Sequence, residues 1–544
     1  MPVIQRAREA RPRWREVDHW WARLADAYVA HPVAFLAAAA AMAFAVRLAA
    51  TPFGTPPVLD VYAYALKALE ISRGLWTPVR SHAIGWSFLL APFVGLMPPM
   101  PMMTVIDLTR VVASAVDALA VIPFAVLARE TLDRRAQLVA LALFPFVGSS
   151  VQVAVGGFAE PLLSVLFISA IGGVLVGRRS RAALVGGAVA AGLASVVHPT
   201  GIAIPIIAAG LAVATADRGR RLAAAGLVVV VALLVAAPAA AQRAHAFGNP
   251  MSYGFNNRFF VEQTADLASG RLAPPILSEF LATHSIGGIL VRLGRGASLE
   301  LRDFIVHAVH VPVFPFVVYG SWLAVRSARL RPVALALAAF LLSWVPVYEV
   351  FGLGRHLAPA VPLGMILTAA GIVELTRHRR HAGVWALALV VIFAAGESAA
   401  VGIQRYRAVR SEWNAGLEWG RWIASHVRGR LVLARGDQLV MMFLPDATVG
   451  GADIYTLFAP HTGLALLRSG DFPTIDEAFG WMQMQHVTHL LVDGRYHKGT
   501  CFEPLMSADI LPPFLTEVYA TGSDSRWPVR LFEIRWERRD PRRS

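Results

Sequence analysis

Long apolar runs separated by short polar connections set the pattern of this chain. A helix needs roughly 20 apolar residues to cross the hydrocarbon core of a bilayer. The runs that reach or approach that length are 32–50, 104–128, 136–152, 158–177, 182–197, 200–215, 222–241, 304–325, 332–350, 357–374 and 382–401. They predict an α-helical polytopic membrane protein with about eleven crossings, the membrane domain running from 32 to 402. A polar stretch bearing Trp14, Trp20 and Trp21 precedes the first run. It is too long and too charged for a cleavable signal peptide, so residues 1–31 are expected to form a cytoplasmic interfacial segment.

Arginine sets the orientation. Its clusters between Arg6 and Arg15, Arg129 and Arg135, Arg178 and Arg181, Arg218 and Arg221, Arg326 and Arg331, and Arg377 and Arg380 all fall in the N-terminal tail or in short connections. The positive-inside rule places every one of them in the cytoplasm. All are satisfied together if the apolar segment 83–96 does not cross but lies as a helix on the outer surface. The first loop 51–103, the turn at Glu160, His198, the long loop 242–303 and the turn at 351–356 are then extracytoplasmic, as is everything after about residue 402.

From residue 404 the pattern changes. Charges rise, and short β-like runs appear at 431–434, 439–443, 489–492 and 530–534 between Gly, Pro and Asp residues. Residues 403–544 are therefore expected to form a small soluble α/β domain in the periplasm. Its first helix, around 412–426, carries Trp413, Trp419 and Trp422 at helical spacing, which suits packing on a membrane surface.

Composition agrees with a lipid solvent. Apolar residues make up 56% of the 544 and charged ones 16%, a balance unsuited to a water-soluble chain of this size. The net charge of +14 comes from loop arginines that form no stripe on a soluble domain, so no nucleic-acid partner is expected. Cys501 is the lone cysteine, which excludes an internal disulfide and a thiolate metal cluster. No Walker loop, dinucleotide motif or internal repeat is visible, which argues against an ATP-driven pump.

Ionisable groups near span ends are functional candidates because they are expensive at membrane depth. Asp60 follows the first span in Pro-Pro-Val-Leu-Asp-Val-Tyr-Ala-Tyr, at the start of an amphipathic helix that also carries Tyr64. It reads equally as a catalytic acid and as an ordinary helix cap. Glu160, in Gly-Gly-Phe-Ala-Glu-Pro-Leu-Leu, opens a span at the same face, where a first-turn acid also suits the helix dipole. Should the two converge, they would serve as general base and second carboxylate, or jointly hold a divalent cation. Arg355 and His356 open another span in Gly-Arg-His-Leu-Ala-Pro-Ala-Val-Pro, and His82 precedes Trp86 in Arg-Ser-His-Ala-Ile-Gly-Trp. A guanidinium there matches a phosphate with two parallel hydrogen bonds, or snorkels as an interfacial anchor. His198, in Val-His-Pro-Thr-Gly, reads first as a hydrogen-bonded turn histidine, and Arg258 as one charge of the long loop.

The order of these features resembles the GT-C superfamily of membrane glycosyltransferases, particularly the branch of protein O-mannosyltransferases and the lipid A aminoarabinose transferase. The Asp60 loop, the surface helix from His82 to Leu96, Gly-Phe-Ala-Glu-Pro-Leu around Glu160, and Gly-Arg-His-Leu-Ala-Pro-Ala-Val-Pro follow one another as in that family. Two departures stand out: Val61 where many members have an acid, and His82-Ala83-Ile84 where they have Lys or His followed by two prolines. The Trp-Trp-Asp-Tyr-Gly motif of oligosaccharyltransferases is absent.

The resemblance implies a polyprenyl-phosphate sugar donor in a bacterial inner membrane and an extracytoplasmic acceptor that is a lipid, glycan or protein. Asp60 and Glu160 would be catalytic, with a Mg or Mn ion an option between them. Arg355, His82 and His356 would bind the donor phosphate, and Tyr64, Trp86, His198 and Arg258 would contact acceptor or sugar. Two rivals share the apolar pattern: a transporter or flippase of envelope glycolipids, and a non-catalytic subunit of a polysaccharide assembly.

Overall fold

The computed structural model describes residues 23–55, 59–74, 83–97, 102–247, 250, 277–352, 354–378, most of 388–400, and, in the C-terminal part, 422, 426, 431–433, 454–456, 474–484, 486–493, 501–521 and 528–539. The segment 1–22, His82, Arg258, the run 439–443 and the helix expected over 412–426, apart from Trp422 and His426, lie outside the described residues.

The described apolar runs are helices, and the run expected over 382–401 lies in part outside the described residues. In chain order they are α1 (Pro32–Ala50), α2 (Leu59–Ser72), α3 (Gly85–Gly95), α4 (Met102–Leu119), α5 (Val121–Thr131), α6 (Arg134–Leu143), α7 (Gly148–Gly156), α8 (Glu160–Gly177), α9 (Arg181–Val197), α10 (Ala203–Thr215), α11 (Arg221–Phe247), α12 (Ile286–Asp303), α13 (Phe314–Arg326), α14 (Arg331–Phe351) and α15 (Val361–His378). Local chemistry starts several of them. Proline sits in the first positions of α1, α8, α13 and α14, where its missing N–H costs nothing. Asp133 caps α6 by accepting from Ala136 N at 3.0 Å.

Among the described residues six helices are long and apolar enough to cross a membrane, or seven if the bent pair α6 and α7 is one span. The expected run 136–152 is broken by a 42° bend after the 3-10 turn Phe144–Phe146. The runs 182–197 and 200–215 form shorter apolar helices, and the run at 304 begins with a π turn, Phe304–Ala308, before α13. The segment 83–96 is the 11-residue α3, too short to span.

The chain forms two units, each continuous only in space. The first comprises 1–51, 113–238 and 290–402. Its core is apolar, and α8 and α9 pack at backbone contact: a Cβ on Gly173 would stand 2.5 Å from Gly187 Cα. A buried ion pair lies inside it. Arg47 of α1, fully buried, sets Nε 2.5 Å from Asp117 of α4 and donates Nη1 to the Ala43 and Pro145 carbonyls. The stripe Gly296, Glu300 and Asp303 of α12 turns inward while Leu290, Val291 and Leu301 face out. A Cβ on Gly296 would meet Val345 O of α14 at 2.2 Å, and Tyr348 of α14 donates to Asp303 Oδ2 at 2.9 Å.

The second unit comprises 52–112, 239–289 and 403–544. In it α2 and α3 pack as a pair, with Ser87 Oγ donating to Tyr64 O at 3.1 Å. Asp107 and Arg110 of α4 hold the start of the first loop, accepting from Gly54 N at 2.9 Å and donating to Pro52 O at 2.9 Å. The C-terminal region forms a mixed five-stranded sheet, β1 (Leu431–Leu433), β2 (Ile454–Thr456), β3 (His489–Asp493), β4 (Leu515–Ala520) and β5 (Val529–Ile534), in the order β2-β1-β3-β5-β4. Strands β1 to β3 are parallel, and β5 runs antiparallel to β3 and β4. Phe479 and Met482 of the helix Ile475–Met484 pack on Leu490 and Phe532 of this sheet.

Candidate functional site

Three breaks between helices of the first unit assemble a buried polar cluster. The first break follows α7. Gly157 there adopts φ +84, its N–H bonds Ala154 O at 2.9 Å, and Phe158 N bonds Val153 O at 3.2 Å. This is the Schellman closure, and glycine supplies the left-handed turn without a Cβ penalty. The chain then reverses into α8 with Glu160 in its first turn, ahead of Pro161. His198 ends α9 at the second break. Gly201 lets the following 3-10 turn fold tightly there, since a Cβ would stand 1.9 Å from Ala194 O. The third break is the 3-10 segment Gly354–Ala360 between α14 and α15, which carries Arg355 and His356.

These side chains meet. Arg355 Nε lies 3.7 Å from Glu160 Oε1, and its guanidinium sits 4.3 Å above the Phe158 ring, a cation–π contact. Glu160 is 2% exposed. The rings of His198 and His356 lie 5.8 Å apart, and Trp344 of α14 stacks on His356 at 4.9 Å with 12° between planes. Thr200 Oγ1 lies 2.7 Å from His198 Nδ1. The Thr200 N–H donates to the same nitrogen at 3.4 Å, so Thr200 fixes the orientation of the His198 ring.

Glu160, His198 and His356 each present one ligand atom within 4.8 Å of the others. One carboxylate oxygen with two imidazole nitrogens suits a borderline divalent ion such as Zn or Mn better than Mg, which takes oxygen ligands and keeps its waters. Arg355 beside them offers a planar, permanently charged fork of the shape a phosphate accepts.

The expected residues thus divide. Glu160, His198, Arg355 and His356 come together in the first unit. Asp60 lies half-buried in the first turn of α2 in the second unit, where Tyr64 is buried and Trp86 fully so. Trp344 is an addition of the structure, since one aromatic residue inside an apolar run carries no signal of its own. The metal-competent triad also escapes the sequence, because its members are 38 and 158 residues apart, 160 to 198 to 356, with no local spacing to announce it.

No protein-family model matches the sequence, and no curated protein matches it either. Solved structures do resemble the chain. ArnT from Cupriavidus metallidurans bound to undecaprenyl phosphate is similar at TM-score 0.58 and 16% identity, over 92% of this chain and 97% of that one. The archaeal oligosaccharyltransferase AglB from Archaeoglobus fulgidus, in complex with an inhibitory peptide and a dolichol-phosphate, is similar at TM-score 0.54 and 14% identity, over 91% and 73%. An Archaeoglobus fulgidus oligosaccharyltransferase in complex with Zn and sulfate is similar at TM-score 0.55 and 15% identity, over 92% of this chain and 73% of that one. The chain shares the fold of these structures, which include the kind of transferase whose fold the resemblance led us to expect. On this fold the cluster of Glu160, His198, Arg355 and His356 sits at helix breaks, where backbone irregularity inside a membrane protein is tolerated because it lines protein or water.

Proposed function

We propose that this chain is an integral-membrane glycosyltransferase of the bacterial inner membrane that moves a sugar from a polyprenyl-phosphate donor to an extracytoplasmic acceptor. The observation that carries the reading is the Arg355–Glu160 pair beside two buried histidines. It stands on a fold shared with a protein solved with undecaprenyl phosphate.

Arg355 and His356 hold the donor phosphate while its lipid tail remains among the apolar helices. Asp60 accepts the proton of the acceptor hydroxyl, whose oxygen attacks the anomeric carbon as the bond to phosphate breaks, inverting the configuration. The phosphate departs with the bonding electrons and needs no acid. Charge grows on it in the transition state, where a fixed guanidinium contributes most. Glu160 beside an anionic donor is repulsive unless cations intervene. Arg355 supplies one, and a divalent ion held by Glu160, His198 and His356 would supply another by neutralising phosphate charge.

Sugar transfer from synthetic polyprenyl-phosphate sugars by purified protein, comparing wild type with Asp60→Asn, tests this. The expected result is loss of turnover with retained folding. Undiminished transfer by Asp60→Asn removes Asp60 as the base, and no transfer by wild type from any such donor removes the reading.

A further inference from the structure

A second site lies within the first unit, at the arginine-bearing ends of α8 to α11. There a cavity of about 770 Å³ is lined by Arg178, Arg181 and Arg220 at its mouth and by Val174, Leu184 and Leu227 within. Arg179 also lines it but pairs with Glu130. Asp217 is the one acid in the lining, so the mouth is strongly positive.

The packing explains the opening. At Gly192, α9 touches α11: a Cβ there would meet Ala232 O at 2.7 Å. Toward the arginines α9 and α11 both line the cavity, through Arg181 and Leu184 on one side and Leu227 and Val230 on the other, and a Cβ on Gly226 would meet nothing within 4 Å. Small residues (Gly177, Ala212, Ala216, Ala223, Ala224) keep the gap open, while α8 and α9 are locked together at Gly173 and Gly187 and form a fixed wall. The outward side of α11 is apolar, with Leu222, Val230, Leu233 and Leu234 exposed, so the gap communicates with the lipid-facing surface. Two helix N-termini and two C-termini border the mouth, and their dipoles cancel in pairs. The arginines therefore carry the field.

We infer that this cavity is a binding site for an anionic phospholipid, its phosphodiester headgroup held by Arg178, Arg181 and Arg220 and one acyl chain laid in the groove between α9 and α11. A water-soluble anion would leave the apolar interior unfilled, and a zwitterionic lipid would gain less from three cations. Each basic residue near a membrane surface favours anionic lipid, and basic pockets between spans on the cytoplasmic side are where such headgroups dock. The positive-inside rule puts these arginines on that side. The site is thereby separate from the Glu160 cluster, which lies at the opposite end of α8.

The test is native mass spectrometry of the detergent-purified full chain titrated with phosphatidylglycerol or with phosphatidylcholine of the same acyl chains. Wild type is expected to retain phosphatidylglycerol at concentrations roughly tenfold lower or better. The variant R178Q/R181Q/R220Q is expected to lose that preference. Ala224→Trp, which fills the groove and keeps every arginine, is expected to weaken both lipids. Equal retention of the two lipids by wild type, or a preference that survives the triple substitution, overturns the proposal. So does displacement of phosphatidylglycerol by inorganic phosphate at comparable concentration, which would mark a site for a free anion. Should the triple variant fail to fold, Ala224→Trp decides, because undiminished phosphatidylglycerol binding with the groove filled is incompatible with the site.

Discussion

Arg355 Nε stands 3.7 Å from Glu160 Oε1 although 195 positions separate the two, 160 to 355, and the contact is made across two helix breaks. The guanidinium also covers the Phe158 ring, so its plane is held from below as well as from the side. Lysine would keep the charge and lose both the fork and the stacking. Arg355→Lys is therefore expected to lower kcat/KM for a polyprenyl-phosphate sugar on the order of 100-fold, with folding unaffected. Steady-state transfer assays check it, and a wild-type rate in the lysine variant would separate Arg355 from the reaction.

The donor set of Glu160, His198 and His356 makes a second prediction. Purified protein should carry about one Zn or Mn per chain, and Glu160→Gln or His356→Ala should remove it. Thr200→Val is the sharper test. It deletes the hydroxyl at His198 Nδ1 without touching a ligand, and loss of such an outer partner typically weakens metal affinity on the order of 10–100-fold. Elemental analysis after dialysis against a chelator would read this. Metal content unaltered in both Glu160→Gln and His356→Ala would exclude the triad.

Much of this cluster is legible in the sequence for one physical reason. Charges are costly in lipid, so Glu160, Arg355 and His356 stand out against the apolar runs they open. The same reasoning applies to Arg47 and Asp117, which lie inside the first two runs and carry an equally clear signal that the sequence reading leaves unused. Trp344 and the approach of His198 to His356 have no such signature, because they depend on which helix faces which. Glu300 and Asp303 look like loop charges until Gly296, Glu300 and Asp303 are seen as one face of a helix, at spacings of four and three. Helix breaks are half visible: Pro145 and Gly148 mark the bend inside 136–152, whereas nothing in the composition of 304–308 announces a π turn. In the C-terminal region, strands β3 and β5 follow from β-branched and aliphatic runs. By contrast β2 is three residues long, and β4 has Glu517 at its bulge, where the pairing shifts.

The Arg47–Asp117 pair is the place where stability is most exposed to a single change. Both groups are buried, and removing one strands the other's charge at a cost of about 3–5 kcal/mol. Asp117→Leu is accordingly expected to lower the melting temperature strongly. The double variant R47M/D117L, which exchanges the pair for apolar side chains, should recover most of the loss. Thermal unfolding in detergent measures both, and a double variant no better than the single one would mean that the Arg47 contacts to Ala43 O and Pro145 O carry the stability instead.

Glu300 gives the chain a pH dependence of known sign. It is 3% exposed, neither of its oxygens has a hydrogen-bond partner, and burial pushes its carboxyl from 4.5 up to about 8. Between those values the folded chain keeps a proton that the unfolded chain releases, so stability falls as pH rises, by up to about 1.4 kcal/mol per pH unit. The contribution is fully favourable below 4.5 and lost once pH passes about 8. Glu300→Gln keeps the shape and removes the titration. Its melting temperature should therefore match wild type below about pH 4.5, exceed it increasingly from there to about pH 8, and keep a constant lead above that. The inward stripe of α12 predicts the same direction for packing: as Glu300 ionises, a charge without hydrogen-bond partners is left buried on that helix, and protease access to residues 286–303 should rise with pH in wild type alone. Parallel melting curves for the two proteins across that range would show that Glu300 is solvated and that the helix does not seal it.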